Sequence, residues 1–212
     1  ILVSEGRARG VRLESGEELL APVVVSNLDV KRTFLKTIKE EHLPEDFVTR
    51  VRNFRIRGSS AKINMAFDGL PSWPSLPKDS PILKGDLHYS ESLDEVERAY
   101  DDWKDGRWST VPYIDMIMPS MIDPTMAPEG KHFLSVFVQY CPYKPAKGDW
   151  TPEMKQEFGQ HVIDAIARYS PDFKQKLLHA EIRTPLDLER EVGLTEGNIF
   201  QGELTMDQLA FN

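Results

Sequence analysis

The stretch from Val111 to Tyr143, VPYIDMIMPSMIDPTMAPEGKHFLSVFVQYCPY, restricts the fold of this chain more than any other. Two runs rich in β-branched and aromatic residues, PYIDMIMP and HFLSVFVQYC, flank a connector carrying Pro124, Pro128 and Gly130, which is the pattern of an antiparallel pair of strands. Side chains alternate between the two faces of a strand. The second run therefore sets Leu134, Val136, Val138 and Tyr140 on one side and Phe133, Ser135, Phe137 and Gln139 on the other. The first set is wholly aliphatic or aromatic, the second mixed, so the strand is expected to lie between a packed core and a cavity or partner. The connector SMIDPTMAPEG is long for a hairpin, and its prolines stiffen it without letting it pair. It reads either as a surface loop or as a loop lining a ligand entrance.

The segments on either side supply further strands and the helices to cover them. Residues 1–27 read as a small β meander with corners at Glu5-Gly6 and Ser15-Gly16, its last strand running from Val23 to Ser26. Asp29 is placed to cap a helix bearing Phe34, Leu35 and Ile38, and Leu43-Pro44 opens a second with Phe47, Val51 and Phe54 on one face. SAKINMAF (60–67) alternates apolar Ala61, Ile63, Met65 and Phe67 with Lys62, Asn64 and Ala66, giving a strand with one polar face. The proline-rich run from Asp68 to Gly85 fits neither helix nor central strand and reads as an ordered excursion or a flap.

A short strand at His88–Ser90 precedes a helix capped by Ser92 and Glu95, with Leu93, Val96, Tyr100 and Trp103 on its apolar face and Gly106 ending it. Thr151-Pro152 starts the longest helix, whose Phe158, Val162, Ile166 and Tyr169 recur at helical spacing. His161 on that stripe reads as a packing residue. Ser170-Pro171-Asp172 then breaks the helix, Phe173, Leu177 and Leu178 are expected to begin another, and Thr184 to Asp187 cap a third. In the tail, Gly193, Gly197 and Gly202 surround Asn198, Phe200 and Gln201, either as a plain connector or where the backbone passes close to another surface.

This pattern predicts an α+β class with a mainly antiparallel or mixed sheet flanked by helices. A chain of 212 residues with 40% hydrophobic content can bury a sizeable core. The net charge of −8 with scattered basic residues disfavours a nucleic-acid partner. Cys141, the single cysteine, has no metal-ligand spacing around it and reads as a buried structural thiol, so no metal site is expected. No apolar run reaches the roughly 20 residues of a membrane-spanning helix, and a reducing, soluble compartment is expected: the cytoplasm, or the mitochondrial matrix in a eukaryote. No GxSxG, HExxH, P-loop or GxGxxG occurs, and the carboxylates of DEVERAYDD and PLDLERE have the spacing of solvated helix faces.

SAKINMAFDGLP, MPSMIDPTMAPEGKHFLSVFVQYCPY and TPLDLEREVGLTEGNIFQGELTMDQL together resemble the middle and C-terminal part of the phytoene-dehydrogenase-related FAD oxidoreductases. The resemblance spans nearly the whole chain. It implies a β excursion of the FAD-binding domain at 1–28, a substrate-binding domain at 29–195 and a return segment at 196–212, the remainder of the flavin domain lying in a longer parent. It further implies FAD as cofactor of that parent, with Ser26 and Asn27 where the chain leaves the flavin domain. Asn198, Phe200, Gln201 and Gly202 would approach flavin and a small or lipophilic substrate. The redox chemistry would be the flavin's, which accounts for the lack of a catalytic side-chain set; the catalytic residues stay unassigned. The implied partners are the substrate and the missing FAD-binding domain, with a homodimer of the fragment possible through the former domain interface. The alternative is a non-enzymatic interaction module derived from such an oxidoreductase.

Overall fold

Alternation of apolar and polar residues along the strands decides the architecture. The computed structural model describes residues 1–77 and 80–209, and in it two antiparallel sheets form, of three and five strands. The small sheet is the ribbon β1 (Leu2–Ser4), β2 (Arg7–Arg12) and β3 (Glu18–Leu20). Its first corner sits at Glu5 and Gly6 with φ of 52° and 69°, where glycine removes the penalty of the left-handed region for one of the two residues.

The expected strand from Val23 to Ser26 does not form: Val23 and Val25 are 71% and 89% exposed and no described strand pairs with them. An extended segment without an edge to bond leaves its amides to water, whatever its β propensity. Asp29 accepts from the Arg32 amide at 3.0 Å and opens a π-helical turn, Arg32–Thr37. A short 3-10 turn, Glu40–His42, and α1 (Glu45–Asn53) follow, with Phe34 edge-on to Phe47 at 4.9 Å.

The large sheet begins with β4 (Ser60–Asp68). The proline-rich excursion after it packs its Leu70, Trp73 and Leu76 on the core, and the amide and hydroxyl of Ser72 donate to Asp172 at 2.8 and 2.7 Å. A 3-10 turn at Pro81–Lys84 leads into β5 (Asp86–Tyr89) and then α2 (Leu93–Lys104), capped by Ser92. Leu93 does not join the apolar face. At the first position after the cap it stands 88% exposed, while Ala99, a turn and a half further on, is the buried residue.

β6 (Tyr113–Ile117) and β7 (Lys131–Gln139) are joined by two 3-10 turns, where buried Ser120 accepts from the Phe133 amide at 3.1 Å. α3 (Pro152–Ala167) starts at Thr151, whose hydroxyl accepts from the Met154 amide. Cys141 is fully buried, and burial pushes its thiol pKa well up.

After α3 the expectation fails in one place. Only a single turn, α4 (Phe173–Lys176), is helical, and Leu177 and Leu178 belong to β8 (Leu177–Arg183), paired antiparallel with β4. The free edge of β4 offers a ladder of hydrogen bonds that a two-leucine helical signal cannot match, and a bulge at Ala66/Phe67 admits the entry from α4. Thr184 and Asp187 make a reciprocal capping box for α5 (Pro185–Val192), and α6 (Met206–Leu209) is the last described element.

The large sheet has the order β5-β6-β7-β4-β8. Ile63, Met65, Leu134, Val136 and Ile114 lie on the face that Phe158, Val162 and Ile166 of α3 pack against, all of them essentially inaccessible. Gly159 brings α3 onto β8: a Cβ there would lie 2.5 Å from Ile182 Cδ1.

Candidate functional site

The other face of the sheet collects the side chains that alternation excludes from the core. The registers order them in rows across the strands. One row runs Arg183, Lys62, Phe137, Asp115, His88; the next runs Glu181, Asn64, Ser135, Ile117, Asp86. Phe133 and Phe137 of the central strand are half-buried, so an aromatic strip occupies the middle, with Arg183, Lys62 and Glu181 toward β8 and Asp115, His88 and Asp86 toward β5.

Lys62 lies in this face with its Nζ in contact with Ser135 Oγ, and burial holds its pKa below the ordinary lysine value. Beside it Asn64 Nδ2 donates to Glu181 Oε2 at 3.2 Å. On the opposite flank the Tyr113 hydroxyl is 2.9 Å from His88 Nδ1, and burial together with the Asp115 carboxylate raises the Tyr113 pKa. An apolar strip set between a desolvated cation and hydrogen-bonding groups suits a largely hydrophobic molecule with a polar end.

The residues singled out by resemblance lie elsewhere, near the start of β4. Asn198 is buried, and its side chain is wholly engaged: Nδ2 donates to the carbonyls of Arg57 at 3.0 Å and Gly202 at 3.2 Å, and Oδ1 accepts from the Phe200 amide at 2.7 Å. It shapes a turn from which Phe200 projects, 64% exposed, with Gln201 at φ 57°. A Cβ on Gly202 would lie 3.1 Å from the Phe54 ring. Ser26 and Asn27 are exposed, and Ser26 Oγ pairs with Thr33 Oγ1 at 2.8 Å.

Asp29 joins the two segments, its Oδ2 accepting from the amide and hydroxyl of Thr195 at 3.2 and 2.7 Å. The structure thus gathers the N-terminal and C-terminal segments at one seam, apart from the aromatic strip. Lys62 and Asn64 were legible as a polar strand face. Tyr113, Asp115, His88 and Glu181 were not assigned to a site, although alternation in YIDMI and DLHY gives the signal for the first three.

The residues present do not build a cradle for the pyrophosphate of a dinucleotide. Among the described residues the N-terminal amides of α2, α3 and α5 are taken by Ser92, Thr151 and Thr184 of the chain itself, α1 begins after Pro44 without a side-chain cap but behind a 3-10 turn rather than a strand, and no glycine-rich strand-to-helix turn occurs. Ser26 and Asn27 offer only a hydroxyl already paired and an exposed amide.

No protein-family model matches the sequence. Over 215 residues the chain is 40% identical to pyridine nucleotide-disulfide oxidoreductase domain-containing protein 2 of Rattus norvegicus, covering 98% of this chain and 37% of that protein. It is 32% identical over 209 residues to the chloroplastic prolycopene isomerase of Daucus carota, covering 93% of this chain and 30% of that one. Among solved structures, a Pyrococcus furiosus protein aligns with a TM-score of 0.49 at 17% identity, over 82% of this chain and 34% of that one. The chain thus spans little more than a third of the first of these relatives.

Proposed function

We propose that this chain, a relative of pyridine nucleotide-disulfide oxidoreductase domain-containing protein 2, is the substrate-binding part of an FAD-dependent oxidoreductase that acts on a small or lipophilic substrate. The observation that carries the reading is the sheet's outer face, where half-buried Phe137 lies between Lys62 and the polar cluster at Asp115 and Tyr113, with half-buried Phe133 further along the same face of β7. Such a face suits an elongated apolar substrate, the kind that the name of the prolycopene isomerase relative indicates for that protein. Phe133 and Phe137 would exclude water along the substrate, and Lys62 with Ser135 would orient a polar end or a developing negative charge.

FAD would be held chiefly by parts of the parent beyond this chain, with residues 1–28 and 196–212 as the seam against them. When bound, the flavin would supply the redox step; the groups on this chain bind and orient.

The test uses the longer parent carrying this chain. Purified with flavin bound, it should bind a carotenoid-like polyene, read as a shift in the polyene absorption band, and Phe137→Asp should weaken that binding roughly tenfold or more while flavin absorbance stays constant. A parent that holds no flavin, or polyene binding indifferent to Phe137→Asp, would overturn the reading in favour of a non-enzymatic module.

A further inference from the structure

We propose that Asp86, His88 and Asp115, at the β5 edge of the outer face, form a binding site for a first-row divalent cation of the Zn2+ type. The placement follows from the register: His88 and Asp115 are direct cross-strand partners, and Asp86 is two residues before His88 on the same side of β5. One donor atom from each lies within 4.8 Å of the others. The set comprises two carboxylate oxygens and one imidazole nitrogen, so a neutral histidine with two aspartates offers a charge of −2 to a divalent ion, and the nitrogen favours zinc-like ions over magnesium or calcium.

The contacts within the cluster suit a cation site better than a self-sufficient network. His88 Nε2 is 3.5 Å from Asp86 Oδ2, and Nδ1 is in contact with Asp115 Oδ1. Among the described residues His88 is the only basic side chain paired with either aspartate. A neutral imidazole has one N–H and cannot serve both carboxylates.

Asp115 Oδ1 is closed off from solvent and has no hydrogen-bond partner among the described residues, although the His88 ring lies in contact with it. A buried carboxylate oxygen without a donor is costly, and a metal ion between the three groups removes that cost. The Tyr113 hydroxyl, 2.9 Å from His88 Nδ1, is placed to orient the ring from outside the ligand set. The side chains of Asp86 and His88 are 50% and 54% exposed, which gives the ion a path in and room for water at its remaining positions. Linear spacing does not reveal the site, since its third ligand comes from a different strand.

The inference is independent of the oxidoreductase reading and is tested on the 212-residue chain. Equilibrium dialysis and calorimetry with Zn2+ should show saturable binding of one ion per chain at sub-millimolar free metal, and Co2+ should give visible absorption bands of a nitrogen-oxygen site. His88→Ala and Asp115→Asn should each lower affinity more than about tenfold, and Tyr113→Phe by a smaller factor, while His179→Ala on β8 changes nothing. Circular dichroism checks that each variant is folded, and the Co2+ spectrum of the unaltered chain decides the matter if one is not. Absence of saturable binding in the unaltered chain, or binding that survives both ligand substitutions, would overturn the proposal.

Discussion

Asn198 shows how a residue's role is set by its partners. Its side chain holds three backbone groups at once, so Asn198→Ala leaves two part-buried carbonyls and an amide without these partners and should cost about 1–3 kcal/mol. Phe200, exposed beside it, should tolerate alanine within about 0.5 kcal/mol in the isolated chain. Urea unfolding of the two variants checks both. Asp29 at the seam gives a pH dependence. Burial acts to raise its pKa, but the amides of Arg32 and Thr195 and the Thr195 hydroxyl outweigh it, and the net value lies below the usual 3.8. A depressed carboxylate contributes stability that is complete above its unfolded-chain value and is lost as pH falls through the folded one. The urea midpoint should therefore drop more steeply between about pH 5 and pH 3 in the unaltered chain than in Asp29→Asn. Parallel curves would show that Asp29 is not a source of acid sensitivity.

At the scale of elements, α3 and the loop glycines carry the sharpest expectations. Phe158 and Ile166 are completely buried against the sheet, so alanine at either should cost about 2–5 kcal/mol in denaturant unfolding; changes within error at both would remove α3 from the core. Gly58 passes so close to the tail that a Cβ would lie 1.9 Å from the Glu196 carbonyl oxygen, and Gly197 combines φ of 68° with a backbone so near Pro185 that a Cβ would lie 2.1 Å from the Pro185 carbonyl oxygen. Backbone cannot move aside as a side chain can, and Gly58→Ala should therefore loosen the start of the tail, read as faster amide exchange across 195–198. The caps at Ser92, Thr151 and Thr184 were legible because a cap is a contact within four residues. β8 was not, since its pairing with β4 spans more than a hundred residues of chain and no local pattern encodes it.

The whole molecule carries two apolar margins, one with Leu19, Leu20, Val23 and Val25 exposed, the other with Ile199, Phe200, Leu204, Met206 and Leu209. Ile1, Val3 and Val24 are half-buried, and Phe211 lies outside the described residues. Exposed apolar margins of this extent favour association. Light scattering should show a mass that rises with concentration, with fast hydrogen exchange over 18–28 and 199–209 in the dilute sample. A strictly monomeric sample with slow exchange in both segments would mean they are buried internally. The isolated chain should also come off gel filtration colourless, because its described residues hold no glycine-rich strand-to-helix turn to cradle a pyrophosphate, and flavin absorbance retained by it would contradict the division of labour proposed for the parent.

The amino-acid sequence by itself determined the α+β class, the central strand with one apolar and one mixed face, the long core helix and the helix caps. Each of these follows from periodicity or from contacts a few residues apart, which local steric and hydrogen-bonding rules govern. Only the tertiary structure decided that β8 joins the sheet beside β4, that Val23 to Ser26 stays unpaired, and that Asn198 is turned inward to the backbone of Arg57. It also decided that Lys62, Phe137, Asp115 and His88 share one row. Strand order and register depend on which edges remain free once the core has closed, a property of the folded whole that no stretch of sequence contains.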